Sequence, residues 1–437
     1  MTTLIRAAQL PDGTTTDLLV RDGVIAETGS GLSDAGARVI DADGLRALPG
    51  LVDLHTHLRE PGFEQSETVL TGSRAAAAGG FTAVFAMANT SPVQDTAGVV
   101  EQVESLGRQH GYVTVRPIGA VTVGLGGERL SEIGAMAQSR AGVRVFSDDG
   151  KCVHDALLMR RALEYVSTFD GVIAQHAQEP RLTENAQMNE GELSGQLGLA
   201  GWPAVAEEAI IARDVLLAQH VGARLHICHL STAGSVEVVR WAKARGIQVT
   251  AEVTPHHLLL TEQLVAGYDP RYKVNPPLRR DEDVTALREA LADGTIDIVA
   301  TDHAPHPVES KECAWQEASF GMVGLESALS VVQASVVDTG HLDWADVARV
   351  LSATPARIGR LDGYDAPFQV GSPAHLTLVD PTATRVFSTA DLKGKGINSP
   401  YLERELPGRI VATLHGGLPT VLDGELVDAD VIAGGAR

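Results

Sequence analysis

Eight short runs rich in β-branched and other apolar residues, with longer Ala-, Leu- and Glu-rich stretches between them, punctuate this chain from residue 48 to residue 302. The runs cover 48–55, 81–87, 113–118, 143–146, 172–176, 225–229, 249–253 and 298–302, and the helix-like stretches include 67–78, 155–166, 204–221, 235–245 and 281–292. Parallel neighbours in a sheet need a crossover of a dozen or more residues, which a helix supplies. Repeated strand-helix alternation therefore predicts an α/β fold whose parallel sheet closes into a (β/α)8 TIM-like barrel. A doubly wound open sheet is the competing arrangement. A further helix-like span at 323–338 would complete the ring.

The two ends carry a different pattern. Residues 18–25 read as a β-hairpin in which Asp22-Gly23 supplies the positive φ angles of a tight turn, and 421–427 repeats the signal around Asp423-Gly424. Residues 376–379 and 410–414 add two strand-like runs. These segments predict a small discontinuous β-sandwich built from residues 1–48 and 366–437, with the barrel, residues 49–365, inserted between them.

Charge narrows the range of ligands. Lys and Arg number 35 against 56 Asp and Glu, a formal net charge of -21 that repels phosphate backbones and anionic lipid. Neither nucleic acid nor a membrane surface is expected as a partner. The N-terminus lacks a basic segment leading into a long apolar run, so a cytoplasmic protein acting on a small molecule is expected. Cys152, Cys228 and Cys313 are too few and too scattered for a disulfide framework and are expected to be reduced.

Barrel active sites form at the carboxyl ends of the strands, and polar residues collect there. Strand one ends in His55-Thr56-His57, strand two runs to Asn89, strand four ends in Asp148-Asp149, strand five in His176, strand six in His229 and strand eight in Asp302-His303, while strand seven leads into His256-His257. Side chains on a strand repeat direction with period two, so His55 and His57 point the same way and can share an ion. Imidazoles and carboxylates without thiolates suit Zn2+, with Mn2+, Co2+ and Fe2+ chemically tolerable. Two ions account for the donors better than one. His55, His57 and Asp302 could hold the first, His176 and His229 the second, with a strand-four carboxylate and a hydroxide shared. Metal-activated water needs no protein nucleophile, so Cys152 is read as a packing residue.

The motifs Asp53-Leu54-His55-Thr56-His57-Leu58-Arg59-Glu60-Pro61-Gly62, Met87-Ala88-Asn89-Thr90, Phe146-Ser147-Asp148-Asp149-Gly150, Lys273-Val274-Asn275-Pro276-Pro277-Leu278-Arg279 and Ala300-Thr301-Asp302-His303-Ala304-Pro305-His306 together give the chain a family resemblance. It resembles the amidohydrolase superfamily and, within it, bacterial dihydroorotases of the long type whose zinc ions are bridged by an aspartate. The resemblance implies reversible hydrolysis of (S)-dihydroorotate to N-carbamoyl-L-aspartate in de novo pyrimidine biosynthesis. It also implies two Zn2+ per subunit, bridged by Asp149 and a hydroxide, with His55, His57 and Asp302 on one ion and His176 and His229 on the other. Asp302 would act as general base and then general acid. His57, Arg59, Asn89 and His306 match substrate-binding positions, the last three for the carboxylate, and Asn275 with the Phe320-Gly321 backbone matches contacts to the ring. Many superfamily members bridge their metals with a carboxylated lysine, so Asp148 and a carboxylated Lys151 stand behind Asp149 as alternative bridges. His256 and His257 are read as orienting or packing residues. The segment 320–324 and the loop after His306 are read as lids.

Two other functions fit the same features. An allantoinase or a dihydropyrimidinase/hydantoinase shares the barrel and the metals but serves a ring without the carboxylate, and Arg59 is the discriminating residue. A catalytically silent scaffold for aspartate transcarbamoylase need not keep its metal ligands. A homodimer and an aspartate transcarbamoylase partner are compatible with the sequence, which fixes neither.

Overall fold

All eight apolar runs form strands: Leu51–Thr56, Phe81–Ala86, Thr114–Pro117, Val145–Phe146, Val172–Gln175, Arg224–Ile227, Val249–Val253 and Ile298–Val299. This computed structural model describes residues 2–428 and Ile432. The pairs one-two, two-three, four-five, five-six, six-seven and seven-eight are parallel ladders. A parallel bridge from Gly119 to Phe146 joins strand three to strand four, and one from Thr56 to His303 joins strand one to the segment leaving strand eight. That last bridge closes the ring, so the fold is a (β/α)8 barrel and the open doubly wound sheet is excluded.

Burial follows from closure. Val52, Leu54, Ala83, Phe85, Val145, Val172, Ala174 and Ile298 share one cluster of buried apolar side chains contributed by barrel strands. A larger cluster joins strands to helices through residues such as Val84, Val100, Leu163, Ile211, Val239 and Leu287. The helices Val69–Ala78, Ala156–Ser167 and Ala233–Ala244 begin at Thr68, Asp155 and Thr232, whose side chains accept backbone N–H groups of the first turn.

Both ends of the chain meet in a nine-stranded sheet that runs from Glu425–Leu426 through Leu376–Val386, Arg46–Pro49 and Thr2–Gln9 to Val24–Gly29. Ile5, Leu18, Val20, Ile25, Leu376, Leu378 and Leu414 form a separate core, so the sheet folds over one apolar interior as a sandwich. Asp22 and Gly23 (φ 52° and 84°) and Asp423 and Gly424 (φ 54° and 82°) make the two expected turns. Among the described residues no helix is long and apolar enough to cross a membrane.

Three sequence boundaries shift. Leu48 pairs with Thr377 in the terminal sheet, and the first barrel strand starts at Leu51. Strand four pairs only over Val145–Phe146, starting two residues later than the apolar run, and strand eight only over Ile298–Val299, ending ahead of Asp302. The 323–338 span is a 3-10 turn (Leu325–Ser327), an α segment (Ala328–Val332) and a π turn (Gln333–Val337) rather than a uniform helix.

Gly50 sits at the crossing from sandwich to barrel, where a Cβ would collide with the Thr82 side chain of strand two. Overpacking of this kind costs about 1–3 kcal/mol. Gly50→Val is expected to lower the urea midpoint of the whole chain, and an unchanged midpoint would show that the junction yields freely.

Candidate metal centre

The carboxyl ends of five strands bring six ionisable side chains to one buried point. His55 lies in strand one and His57 just after it, while Asp149, His176, His229 and Asp302 follow strands four, five, six and eight. All six are buried. His229, Asp302 and Arg59 hold positive φ angles of 33°, 48° and 63°. A non-glycine residue in the left-handed region costs about 1–2 kcal/mol, and such strain persists where the surroundings enforce it, often at functional sites.

Asp149 is the centre of the geometry. Its Oδ2 stands 3.3 Å from His55 Nε2 and 3.3 Å from His57 Nε2. Its Oδ1 stands 3.1 Å from His176 Nδ1 and 3.3 Å from His229 Nε2. Asp302 Oδ1 joins the first group at 3.1 Å from His57 Nε2 and 3.4 Å from His55 Nε2. The donors thus fall into two sets, His55-His57-Asp149-Asp302 and Asp149-His176-His229, that share one carboxylate. Ligand atoms around a tetrahedral ion with bonds of about 2.0–2.1 Å stand about 3.3 Å apart. The measured separations match that edge.

Hydrogen bonds on the far sides of the rings show why a cation fits. His55 Nδ1 lies 2.6 Å from Glu252 Oε1, His57 Nδ1 lies 2.9 Å from Asn89 Oδ1, and His176 Nε2 lies 2.7 Å from Gln178 Oε1. Each oxygen accepts, so each ring donates there and turns its other nitrogen, with a lone pair, toward the carboxylates. His55 Nε2 is buried without a hydrogen-bond partner. Burial opposes charge on His55, yet Asp149, Glu252 and Asp302 hold its imidazolium well above the ordinary value. Burial likewise opposes charge on Asp149, yet His55, His176 and His229 hold that carboxyl well below its usual range. Three ring nitrogens face two buried carboxylates, an arrangement that favours positive charge between them, and a metal ion fits.

Glu252 lies outside the sequence motifs. Its Oε1 takes His55 Nδ1 and the His229 backbone N–H at 3.1 Å, and its Oε2 lies 3.0 Å from His226 Nε2. One buried acid therefore fixes the tautomer of a donor in one set and the backbone of a donor in the other. The available signal was an acid inside the apolar strand Val249–Val253, where a two-sided buried strand should be continuously hydrophobic. Partners of this kind typically contribute about 10–100-fold in metal affinity. Glu252→Gln is expected to weaken metal binding by that order in competition with a chromophoric chelator; parent-like affinity would remove Glu252 from the site. Asp53, which opens the first sequence motif, accepts the backbone N–H of Thr301 at 3.0 Å and of His55 at 3.2 Å, tying strand eight to strand one beneath the donors.

Residues weighed as alternatives lie elsewhere. Asp148 accepts the N–H groups of Val121 (2.8 Å) and Thr122 (2.9 Å) and the Thr122 hydroxyl, and so belongs to the neighbouring loop. Lys151 is exposed. Burial pushes the Cys152 thiol up to about 12, which suits packing rather than nucleophilic attack. His257 bonds Thr254 Oγ1 at 2.8 Å and Pro277 O at 3.3 Å, and His256 packs against it with ring centroids 4.6 Å apart. Neither belongs to a donor set.

The candidate substrate residues surround the mouth. Arg59 makes one hydrogen bond among the described residues, Nε to Pro305 O at 3.3 Å, which leaves its terminal amino groups without a protein acceptor there. Burial lowers its guanidinium to about 10, so it stays charged near neutrality. Asn89 grips His57, and Asn275 Nδ2 donates to Gln178 Oε1 at 3.3 Å. His306 Nε2 donates to Phe320 O at 2.7 Å, and Gly321 (φ 128°) has no room for a Cβ between Ala304 and His306. Burial and the Arg59 charge depress His306 to about 3, so its ring is neutral and its Nδ1 is an acceptor.

Comparison with known proteins gives the chain's relatives. A model of the Dihydro-orotase-like family matches residues 44–235. The chain is 76% identical over 436 residues to the Dihydroorotase of Leifsonia xyli subsp. xyli, across 100% of this chain and 99% of that one. It is 66% identical over 424 residues to the Dihydroorotase of Streptomyces coelicolor, across 97% and 99% of the two chains. Among solved structures, the L-hydantoinase (dihydropyrimidinase) from Arthrobacter aurescens superposes with a TM-score of 0.87 at 27% identity, across 98% of each chain.

Proposed function

This chain belongs to the dihydroorotase family, and on that premise we propose that the donors around Asp149 hold two zinc ions beside a pocket that grips the substrate carboxylate. The enzyme interconverts (S)-dihydroorotate and N-carbamoyl-L-aspartate, hydrolysing or re-forming one cyclic amide bond in de novo pyrimidine biosynthesis. Allantoinase and hydantoinase activities are not favoured: the hydantoinase likeness is 27% identity, against 76% to a dihydroorotase.

In this reading His55, His57 and Asp302 would hold one ion, His176 and His229 the other, and Asp149 both. When bound, such ions lower the pKa of water to about 7 and polarise the amide carbonyl. The observation that carries the proposal is the division of Asp149, one oxygen toward His55 and His57 and the other toward His176 and His229.

The protein's own groups supply position and proton transfer. Arg59 offers a planar pair of N–H donors suited to a carboxylate in a water-poor pocket. Asn89, neutral His306 and His57 complete the carboxylate side, while Asn275 and the Phe320-Gly321 backbone face the ring. As water adds to the ring carbonyl, Asp302 accepts its proton; as the C–N bond breaks, Asp302 returns that proton to the departing nitrogen. Ring closure reverses each step.

The direct test offers dihydroorotate, allantoin and hydantoin side by side, before and after chelation. Chelator-sensitive turnover of dihydroorotate alone is expected, and comparable turnover of allantoin or hydantoin would overturn the assignment of the carboxylate pocket. The same reading extends to a barrel spanning 49–365 between sandwich segments 1–48 and 366–437, and to a cytoplasmic setting. It also extends to a homodimer or a complex with aspartate transcarbamoylase, which size-exclusion chromatography with and without that enzyme tests.

A further inference from the structure

Between two strands of the terminal sheet, Leu376–Val386 and Glu405–His415, the chain leaves the sandwich and crosses the loop that follows barrel strand eight. Its first anchors are two acids. The N–H groups of Lys393 and Gly394 donate to Glu326 Oε1 at 2.8 and 3.3 Å, and that of Lys395 donates to Glu67 Oε1 at 3.2 Å. Gly396 then lies so close to Pro305 and Val323 that a Cβ would come within 2.7 and 2.9 Å of their side chains. The segment delivers Asn398, which is 4% exposed, against the backbone of the strand-eight loop.

Every polar atom of the Asn398 amide is used. Oδ1 accepts the His306 N–H at 3.2 Å, and Nδ2 donates to Ala304 O at 3.0 Å and Gly321 O at 3.2 Å. The partners fix the orientation of the amide, because reversing it would set a donor against a donor and an acceptor against two acceptors. Lys311 approaches the same peptide from within the loop. Buried, it directs its ammonium at three carbonyls: Ser319 O at 2.8 Å, Gly321 O at 2.9 Å and Lys273 O at 3.3 Å. Gly321 N–H donates to Lys273 O at 2.9 Å. His306 is fastened to Phe320 O through its ring.

We propose that Asn398 and Lys311 are positioning residues for the substrate side of the site, fixing His306 and the Phe320-Gly321 peptide as one rigid unit against the substrate anion and ring. The inference rests on the reading of His306, Phe320 and Gly321 as substrate contacts. It gives the discontinuous sandwich a part in the chemistry: a segment far from the barrel motifs in sequence sets the pitch of residues that meet the substrate. Misplacement of a contact by about 1 Å costs about 10²-fold in rate or binding, so a loosened unit should be felt at substrate concentrations near KM.

The test compares Asn398→Ala, Lys311→Met and His306→Ala in the full-length zinc enzyme. Asn398→Ala and Lys311→Met are each expected to raise KM for dihydroorotate by about 10–100-fold, with kcat changed much less and zinc content equal to the parent. Lys311→Arg, which keeps N–H donors, should restore part of the loss. In the His306→Ala background Asn398→Ala should add little, since residues that act through one unit are non-additive. If His306→Ala leaves KM unchanged, the underlying substrate reading fails. If His306→Ala raises KM while Asn398→Ala and Lys311→Met do not, or if kcat and zinc content fall together with KM unmoved, the clamp is overturned. Should Asn398→Ala not accumulate as folded protein, Asn398→Asp, which keeps the acceptor for the His306 N–H but loses both donors, carries the same expectation and the same contrary result.

Discussion

Asp302→Asn is expected to cut kcat in both directions by about 10²–10⁴-fold, the range general acid-base catalysis contributes, while KM for dihydroorotate stays near the parent value. The substitution keeps the shape of the side chain and an oxygen to face His57 Nε2, which stands 3.1 Å from Asp302 Oδ1. What it removes is basicity. On the proposed role, an amide could neither take the proton of the attacking water nor return it to the ring nitrogen when its bond to carbon breaks. In the intact site Asp302 is held below the ordinary carboxylate range: burial opposes its charge, and the His55 and His57 imidazoles outweigh burial. It is therefore ionised at neutrality and ready to accept. Measured kcat with dihydroorotate and with N-carbamoyl-L-aspartate, alongside zinc content, checks the expectation. Parent-like kcat would move the proton transfer to another group.

Arg59→Ala acts on binding instead. Removing one partner of a buried, hydrogen-bonded charge pair costs about 2–5 kcal/mol, which corresponds to a rise in KM of at least about 30-fold. Zinc content should not change, because Arg59 belongs to neither donor set. Its guanidinium makes a single protein hydrogen bond among the described residues, to Pro305 O, and remains charged. The remaining donors are available to an anion. A steady-state comparison of parent and variant reads the effect. An unaltered KM would remove the carboxylate pocket and, with it, the structural reason for preferring dihydroorotate over a ring without a carboxylate.

Much of this site is legible in the sequence because its donors obey a positional rule. His55, His176 and His229 end apolar runs, and a parallel barrel gathers strand ends on one face. The His-x-His spacing carries its own geometry, since period two points both rings the same way. The hairpins at Asp22-Gly23 and Asp423-Gly424 were legible for a similar reason: few residues tolerate positive φ. Glu252, Asn398 and Lys311 obeyed no such rule. Glu252 sits within a strand rather than at its end, and its partners His55 and His229 lie 197 and 23 residues away. Asn398 bonds Ala304, His306 and Gly321 across 94, 92 and 77 residues, a contact set by how the sandwich folds back on the barrel. The break at Gly50 is hidden in the sequence because the apolar pattern runs through it; the pairing of Leu48 with Thr377 separates the two strands.

In the proposed reading Asp149 would be shared by two cations, which would supply activated water beside a fixed anion pocket. Anomalous diffraction at the zinc edge, from crystals of enzyme whose turnover is lost on chelation and restored by zinc, tests it most directly. Two peaks are expected, one among His55, His57 and Asp302 and the other between His176 and His229, with Asp149 reaching both. No zinc at these residues in fully active crystals, or undiminished ring opening by metal-free enzyme, would contradict the account.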